Sequence, residues 1–181
     1  MRRVGTGSPT TLCGMTTGST WTIAPEPVDS DEALGLLRTY FIEVADRYYQ
    51  IHEGRDSTPE EIEVGLAEAP SDFLAPPTGI FLIGRHGGVA AACAGLKVQD
   101  ATTVVLTRVY VRPDRRGTGG ATLLMDAVEA AARDLGAERI VLDTRLDLVE
   151  ARALYLKRGY AEVPAFSEGP YAEVWYRKEL T

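Results

Sequence analysis

Apolar residues recur along the chain with two different periods, and these periods predict its strands and helices. Two apolar runs, Gly79 to Arg85 and Val89 to Val98, are separated by His86-Gly87-Gly88. Adjacent glycines can take the positive φ that a tight turn requires, so this segment predicts a β-hairpin. The β-branched run from Val104 to Val111, closed by Pro113, predicts a third strand.

From Ala121 onward the apolar positions follow a helical period instead. They are Leu124, Ala127, Val128, Ala131 and Leu135. This spacing predicts an amphipathic helix that packs on the core and ends at Gly136. It also predicts an ion pair between Glu129 and Arg133 on the outer face of this helix.

Two more helices are predicted earlier in the chain by their N-cap residues. Asp29 or Ser30 offers a cap oxygen for a helix running to about Tyr49. Thr58-Pro59-Glu60-Glu61 combines a cap hydroxyl, a proline in the first turn and a reciprocal glutamate, which predicts a helix ending near Pro70.

The remaining segments complete an alternating order of strands and helices. Short strands are expected at Thr22 to Ala24, Arg139 to Asp143, Tyr160 to Val163 and Ala172 to Leu180. Asp147 with Glu150 resembles another capping box, opening a helix that stops at Gly159. A βαβ crossover then lies on each side of residues 139 to 143, so the sequence predicts an α/β fold with a mixed sheet flanked by helices.

Length and composition are those of one compact domain. The chain has 181 residues, of which 25% are charged and 45% hydrophobic. Residues 1 to about 20 are rich in Gly, Ser and Thr without periodicity, so we expect a flexible tail followed by a single domain over residues 21 to 181. Met15 within this tail is an alternative natural start.

The net charge and the cysteine positions limit which kinds of partner and site are expected. A net charge of -7 disfavours nucleic acid, because no positive field is available to displace phosphate counterions. Cys13 and Cys93 have neither CxxC spacing nor a neighbouring His, so no metal, disulfide or redox site is expected. Without a signal peptide or an apolar run near the ~18 residues of a membrane span, a cytoplasmic protein away from membranes is expected.

The segment from Val109 to Ala121 is a strand followed by a glycine-rich turn that opens a helix. Backbone N–H groups at such a turn can approach an anion closely, and the first helical turn carries partial positive charge. The turn therefore suits a pyrophosphate, with Arg115 and Arg116 beside it. A glycine-rich connection with no ligand is the alternative, whereas P-loop spacing is absent and the dinucleotide-binding pattern is weak.

Two motifs in this half of the chain resemble signatures of the GCN5-related N-acetyltransferase (GNAT) superfamily. Arg116-x-x-Gly119-x-Ala121 is similar to its R/Q-x-x-G-x-G/A motif, and Ala151-x-x-Leu154-Tyr155-x-x-x-Gly159-Tyr160 is similar to its second motif. The resemblance implies a central mixed sheet of about six to seven strands flanked by about four helices. It also implies acetyl-CoA as co-substrate, with no metal.

The resemblance assigns roles to particular residues. Strand residues Val109, Tyr110 and Val111 are expected to hold the pantetheine arm, through backbone groups of Val109 and Val111. The pyrophosphate is expected at Arg115 and at the N–H groups of Arg116, Gly117, Thr118, Gly119, Gly120 and Ala121. Tyr155 is expected to protonate the departing thiolate, although an aromatic packed on the buried face of its helix is the alternative.

The chain departs from the family pattern at the position of the general base, the residue that takes a proton from the acceptor amine. Val105 stands where many relatives carry a glutamate, and Leu148 stands where they often carry an asparagine. Candidate bases by chemistry alone are Asp143, Glu173, Tyr110 and Glu43. Six aromatic residues either line the acceptor site or pack in the core: Tyr40, Tyr48, Tyr49, Phe166, Tyr171 and Trp175. We expect His52 and His86 to be structural.

The sequence thus predicts an enzyme, an acyl-CoA dependent N-acyltransferase that moves an acetyl group to a primary amine of a small molecule or peptide. Similar enzymes are often homodimers. The alternative function is a non-catalytic acyl-CoA binding or sensing module of the same fold, since Val105 cannot accept a proton.

Overall fold

The computed structural model describes residues 20–181. The predicted tail, Cys13 and the alternative start at Met15 lie outside these residues, apart from Thr20. Seven strands and four α-helices follow one another in chain order. They are β1 (Trp21–Pro25), α1 (Asp31–Glu53), α2 (Pro59–Glu68), β2 (Gly79–His86), β3 (Val89–Val98), β4 (Thr103–Val111), α3 (Gly120–Asp134), β5 (Arg139–Thr144), α4 (Val149–Lys157), β6 (Ala161–Val163) and β7 (Val174–Glu179).

All seven strands form one sheet in the order β1-β2-β3-β4-β5-β7-β6. Only β4 and β5 pair in parallel, and α3 supplies the crossover that a parallel pair needs. β7 lies between β5 and β6 and runs antiparallel to both, so β5 and β6 are parallel to each other. The predicted mixed sheet and both predicted βαβ crossovers are confirmed.

α1 and α2 begin where their predicted cap residues lie. Ser30 accepts a hydrogen bond from the Ala33 N–H, and Thr58 makes the full reciprocal capping box with Glu61. The Arg55 guanidinium, bonded to the Glu61 carboxylate, helps to hold the pKa of Glu61 at about 2, so this cap stays ionised. α1 is longer than predicted and ends at Glu53, where Gly54 takes the left-handed conformation.

Two predicted details of the helices are wrong. Asp147 does not cap α4, because Arg145 bonds both of its carboxylate oxygens at 2.7 and 2.8 Å. Glu129 is not on an exposed face: it is 8% exposed and pairs with Arg158 and Lys178 instead of Arg133. A buried carboxylate needs such partners to offset its loss of hydration.

Apolar side chains bury both faces of the sheet. One cluster, which includes Leu124, Met125 and Val128, packs α3 on one face. The other, which includes Leu36, Leu37 and Phe81, packs α1 on the opposite face. The sheet is therefore held between helices, and strands β2, β3 and β4 contribute side chains to both clusters.

The sheet opens between β4 and β5. Their pairing begins at Thr103 with Arg139 and ends at Val105 with Val141, although both strands continue. A bulge in β4 accompanies this opening, because the register with β3 shifts beside Arg108, which has a positive φ of 56°. The carboxyl-terminal halves of β4 and β5 therefore diverge and leave a split in the sheet.

Candidate active site

The turn that joins β4 to α3 presents a row of backbone donors. Gly117 and Gly119 have φ values of 74° and 90°, and open space surrounds the position of a Cβ on either residue. Among the residues that the structure describes, the N–H groups of residues 117–122 have no hydrogen-bond acceptor. Since α3 also directs its partial positive charge here, the geometry of the turn, called the cradle below, suits an anion.

Trp21 on β1 holds this turn in place through a hydrogen bond and through packing of its ring. Its indole Nε1 donates to Thr118 Oγ1 at 3.0 Å, and that hydroxyl donates to the Arg115 carbonyl at 2.6 Å. A Cβ on Gly120 would lie 2.3 Å from the indole ring, so the missing side chain of Gly120 makes room for Trp21. Sequence reasoning missed Trp21, because no motif spacing connects it to a turn 97 residues away.

Both predicted arginines lie beside the turn, but each already has a carboxylate partner. Arg116 pairs with Glu43 and donates from Nε to the Val111 carbonyl at 2.9 Å. Arg115 lies 3.4 Å from the Asp114 carboxylate. Their charges stand near the cradle, and the Val111 carbonyl expected for a pantetheine arm is bonded to Arg116.

The strand Val109–Val111 lines the split through alternate residues. Arg112 donates its N–H to Ala91 on β3, and backbone groups of successive strand residues point to opposite sides, so those of Val111 face the split. Val109 faces it by the same alternation. Tyr110 pairs with Cys93 on β3 instead.

The Tyr110 side chain packs under α1, with its ring 6.1 Å from that of Tyr40. Burial, with the nearby Glu43 carboxylate as a smaller cause, raises the pKa of Tyr110 to about 12. Its buried hydroxyl has no partner among the described residues. Tyr110 is therefore a poor candidate for a base at neutral pH.

A cavity of about 570 Å³ lies where the split meets α1 and α2. This volume is within the range of small-molecule sites. The residues that line it are Tyr40, Phe41, Val44, Ala45, Tyr48, Tyr49, Glu60, Glu61, Val64, Gly65, Glu68, Ala69, Thr107, Arg108, Asp143, Thr144, Arg145, Leu148 and Tyr171. Thr107 and Arg108 come from β4, and Asp143 and Thr144 come from β5, two and three residues beyond the last paired residue of each strand.

Asp143 is the one of the four candidate bases that lines this cavity. Its Oδ2 accepts a hydrogen bond from Ser167 Oγ at 2.9 Å, and Ser167 Oγ accepts one from Trp175 Nε1 at 2.8 Å. This chain of bonds orients the carboxylate, and Oδ1 has no hydrogen-bond partner among residues 20–181. Sequence reasoning missed Ser167, which lies in a segment without regular structure.

The other two carboxylate candidates are engaged elsewhere. Glu43 pairs with Arg116 beside the turn. Glu173 accepts the Leu146 N–H at 2.8 Å. Neither side chain lines the cavity, so geometry favours Asp143.

Tyr155 lies inside α4 and is 5% exposed. Burial raises the pKa of its hydroxyl, and the nearby Tyr40 and Tyr176 raise it further. Tyr155 does not itself line the cavity, but Tyr40 does. A hydroxyl in this position is protonated at neutral pH and can donate.

The sequence does not decide whether several aromatic residues line the acceptor site or pack in the core. In the structure, some of them form one wall of the cavity. The ring of Tyr48 lies 5.7 Å from that of Tyr49 and 5.6 Å from that of Tyr171, both edge-on. Tyr40 also lines the cavity, Trp175 positions Ser167, and Phe166 is exposed outside it. His52 packs on Tyr48 and His86 on Trp21, both as neighbours of aromatic rings.

Within residues 20–181, no group of three or more His, Cys, Asp or Glu side chains is arranged to hold a metal ion. None of the helices in that range combines the length and apolarity needed to cross a membrane. Cys93 is buried, which raises the pKa of its thiol to about 12.

Comparisons with known proteins identify the family and the fold of the chain. A model described as the acetyltransferase (GNAT) family matches residues 36–160. An uncharacterized N-acetyltransferase of Schizosaccharomyces pombe is 29% identical over 154 residues, which cover 84% of this chain and 88% of the relative. One from Mycobacterium tuberculosis is 34% identical over 100 residues, 55% of this chain and 64% of the relative. A solved acetyltransferase of the GNAT family from Staphylococcus aureus shares the fold, with a TM-score of 0.63 at 15% identity over 90% of this chain and 100% of the other.

Proposed function

Because the chain belongs to the acetyltransferase (GNAT) family, we propose that it transfers the acetyl group of acetyl-CoA to a primary amine bound in the cavity beside the split. The amine is carried by a small molecule or a peptide. The observation that carries the proposal is the row of unpaired N–H groups at residues 117–122, which opens next to a split that leads to this cavity.

The residues of the turn fit a pyrophosphate. The positive φ values and free space at Gly117 and Gly119 let oxygen atoms approach the backbone without a Cβ between them. The N–H groups of Gly117, Thr118, Gly119, Gly120 and Ala121 supply the hydrogen bonds, with Arg115 and Arg116 close by. Backbone groups of Val109 lie along the split, where a pantetheine arm can pair with β4.

Acetyl-CoA supplies the acetyl group as an activated thioester. The acceptor enters as an ammonium ion, since an alkylamine has a pKa near that of lysine, about 10.4. Asp143 Oδ1, the free oxygen of an oriented carboxylate, takes a proton from it and passes that proton to solvent. The nitrogen then attacks the carbonyl carbon of the thioester.

The remaining steps balance the reaction. A C–N bond forms, the C–S bond breaks, and the sulfur leaves with the bonding electron pair. Tyr155 protonates this thiolate and regains its proton from the nitrogen through solvent. The products are an N-acetylated amine, a free thiol and one net proton released.

The test compares Gly119→Asp with wild type by calorimetry and by thiol release against a panel of amines. The added carboxylate lies at the open face of the cradle and repels a pyrophosphate, so acetyl-CoA affinity is expected to fall by at least about 100-fold. Gly136→Asp, at another exposed glycine of positive φ, is the matched control for backbone strain. Unchanged affinity in Gly119→Asp would refute the placement.

The same assay separates the enzyme from a non-catalytic sensor. An enzyme releases thiol only when a suitable amine is present. Tight acetyl-CoA binding by the wild type without turnover of any amine in the panel would favour the sensor.

A further inference from the structure

Two of the charged residues that line the cavity are neutralised by partners on the protein itself, whereas Glu60 and Glu68 on α2 have no ion pair among the described residues. Glu61 pairs with Arg55, and Arg145 pairs with Asp147 and donates to the Val44 carbonyl at 2.9 Å. These groups have little left to offer a ligand. Two charged residues at the split, Arg108 and Asp143, differ from them.

Arg108 is a cation whose hydrogen-bond partners among the described residues include no carboxylate. Its Nε and Nη2 donate to neutral acceptors, Ser71 Oγ at 3.2 Å and the Ala69 carbonyl at 3.3 Å. Nη1 donates to Thr107 Oγ1 at 3.3 Å. A guanidinium has further N–H donors beyond these three, so Arg108 can still bind an anionic group.

Asp143 stands on the opposite side of the split. Arg108 on β4 and Asp143 on β5 both line the cavity, beyond the last paired residues Val105 and Val141. The two strands thus present a cation and an anion to the same space, at a level where the strands are no longer paired with each other. A ligand that carries both charges close together would satisfy both groups.

The third feature is the aromatic wall formed by Tyr40, Tyr48, Tyr49 and Tyr171. Edge-on contacts hold its rings, and the Arg145 guanidinium lies 5.6 Å from the Tyr48 ring. Phe41 closes the wall against α2, where Gly65 leaves room for its ring: a Cβ there would lie 2.2 Å from Phe41. Such a wall favours a large apolar or aromatic group over a chain of charges.

We propose that the acceptor is a free α-amino acid with an aromatic or large aliphatic side chain. Arg108 binds its carboxylate, Asp143 binds its ammonium group, and the aromatic wall receives its side chain. This inference rests on the proposed function and names its substrate class. Arg108 is then the residue that determines specificity for a carboxylate beside the amine.

The first experiment needs no variant. Acetyl transfer by the wild-type protein is measured with L-phenylalanine and with phenethylamine, which lacks only the carboxylate. Loss of a charge-assisted contact predicts at least about a tenfold lower kcat/KM for phenethylamine. Equal values, or a preference for spermidine or a peptide N-terminus, would overturn the inference and leave acetyl transfer in place.

The second experiment removes the guanidinium that is proposed to bind the carboxylate of the substrate. Arg108→Gln is expected to lower kcat/KM for L-phenylalanine about tenfold or more, mainly through KM, and to change that for phenethylamine less than about threefold. Arg108→Lys keeps the charge and should recover part of the loss. Arg177→Gln, an exposed arginine on β7 whose partner is Glu179, is the matched control and should leave both substrates unchanged.

The outcomes for the two proposals are distinct. Equal losses for both substrates in Arg108→Gln would mean that Arg108 supports the fold of the site and does not bind the carboxylate. If acetyl-CoA does not bind and no amine releases thiol, the proposed function itself fails.

Discussion

Tyr155 combines a protonated hydroxyl with a fixed position, which are the two properties that a general acid needs. Burial raises the pKa of this hydroxyl, so the proton is present throughout the neutral range. We expect Tyr155→Phe to lower kcat roughly 100-fold, the scale of general acid catalysis, with little change in acetyl-CoA affinity. Steady-state kinetics and calorimetry on the same preparation measure the two effects.

Tyr160→Phe is the control for this substitution. Tyr160 is also buried, its ring lies 5.8 Å from that of Tyr155, and its buried hydroxyl has no partner among the described residues. Removing that hydroxyl should leave kcat unchanged and the stability unchanged or slightly higher. If both variants lose turnover equally, the aromatic packing of α4 is what matters and Tyr155 is not the acid.

At the scale of elements, the turn before α3 depends on an edge strand from the beginning of the domain. We expect Trp21→Phe to keep an aromatic ring against Gly120 while removing the N–H that bonds Thr118. A lost hydrogen bond of about 1 kcal/mol predicts roughly fivefold weaker acetyl-CoA binding, because the N–H groups of residues 117–122 are then less well ordered. Titration calorimetry gives the affinity, and kcat at saturating acetyl-CoA should be unchanged.

Thr118→Val removes the acceptor of the same bond and allows a double-mutant cycle. The two substitutions should not be additive if they act through one hydrogen bond. Additive losses of affinity would show that Trp21 acts by packing alone.

Elements whose signals are local could be predicted from the sequence. The capping box at Thr58 and the glycine turn between β2 and β3 were predicted, since residues a few positions apart determine each of them. Asp147 has the same local pattern, but Arg145 forms a stronger, bidentate contact with it than a backbone N–H would. The position of β7 between β5 and β6 depends on long-range pairing, which no local spacing specifies.

The site divides in the same way. The glycine turn before α3 lies within one segment, and its positive φ values and unpaired N–H groups among the described residues follow from local sequence. Other contacts of the site join distant segments: Trp21 bonds Thr118, Ser167 bonds Asp143, and Arg108 lines the same cavity as Asp143. No local spacing in the sequence indicates them.

On the scale of the whole molecule, an ion-pair network joins α1 to the loop between β5 and α4. Arg145 bonds Asp147 and the Val44 carbonyl, and Arg47 on α1 reaches Asp147 and Glu150. Because α1 and this loop are two walls of the cavity, the network sets the distance between them. Arg145 is only 8% exposed, so it needs a charged partner in place.

Asp147→Asn should therefore destabilise the protein by about 1–3 kcal/mol at pH 7, since Arg145 keeps its charge but loses the carboxylate. Arg145, with Arg47, lowers the pKa of Asp147 in the folded protein below its usual 3.8. The stabilisation is thus complete above that value and is lost as pH falls through the lower, folded pKa. Urea unfolding from pH 7 downward should show the two proteins converging in acid, while Glu150→Gln, 73% exposed, should show a smaller difference throughout. A difference that stays constant in acid would assign the effect to packing and not to the charge of Asp147.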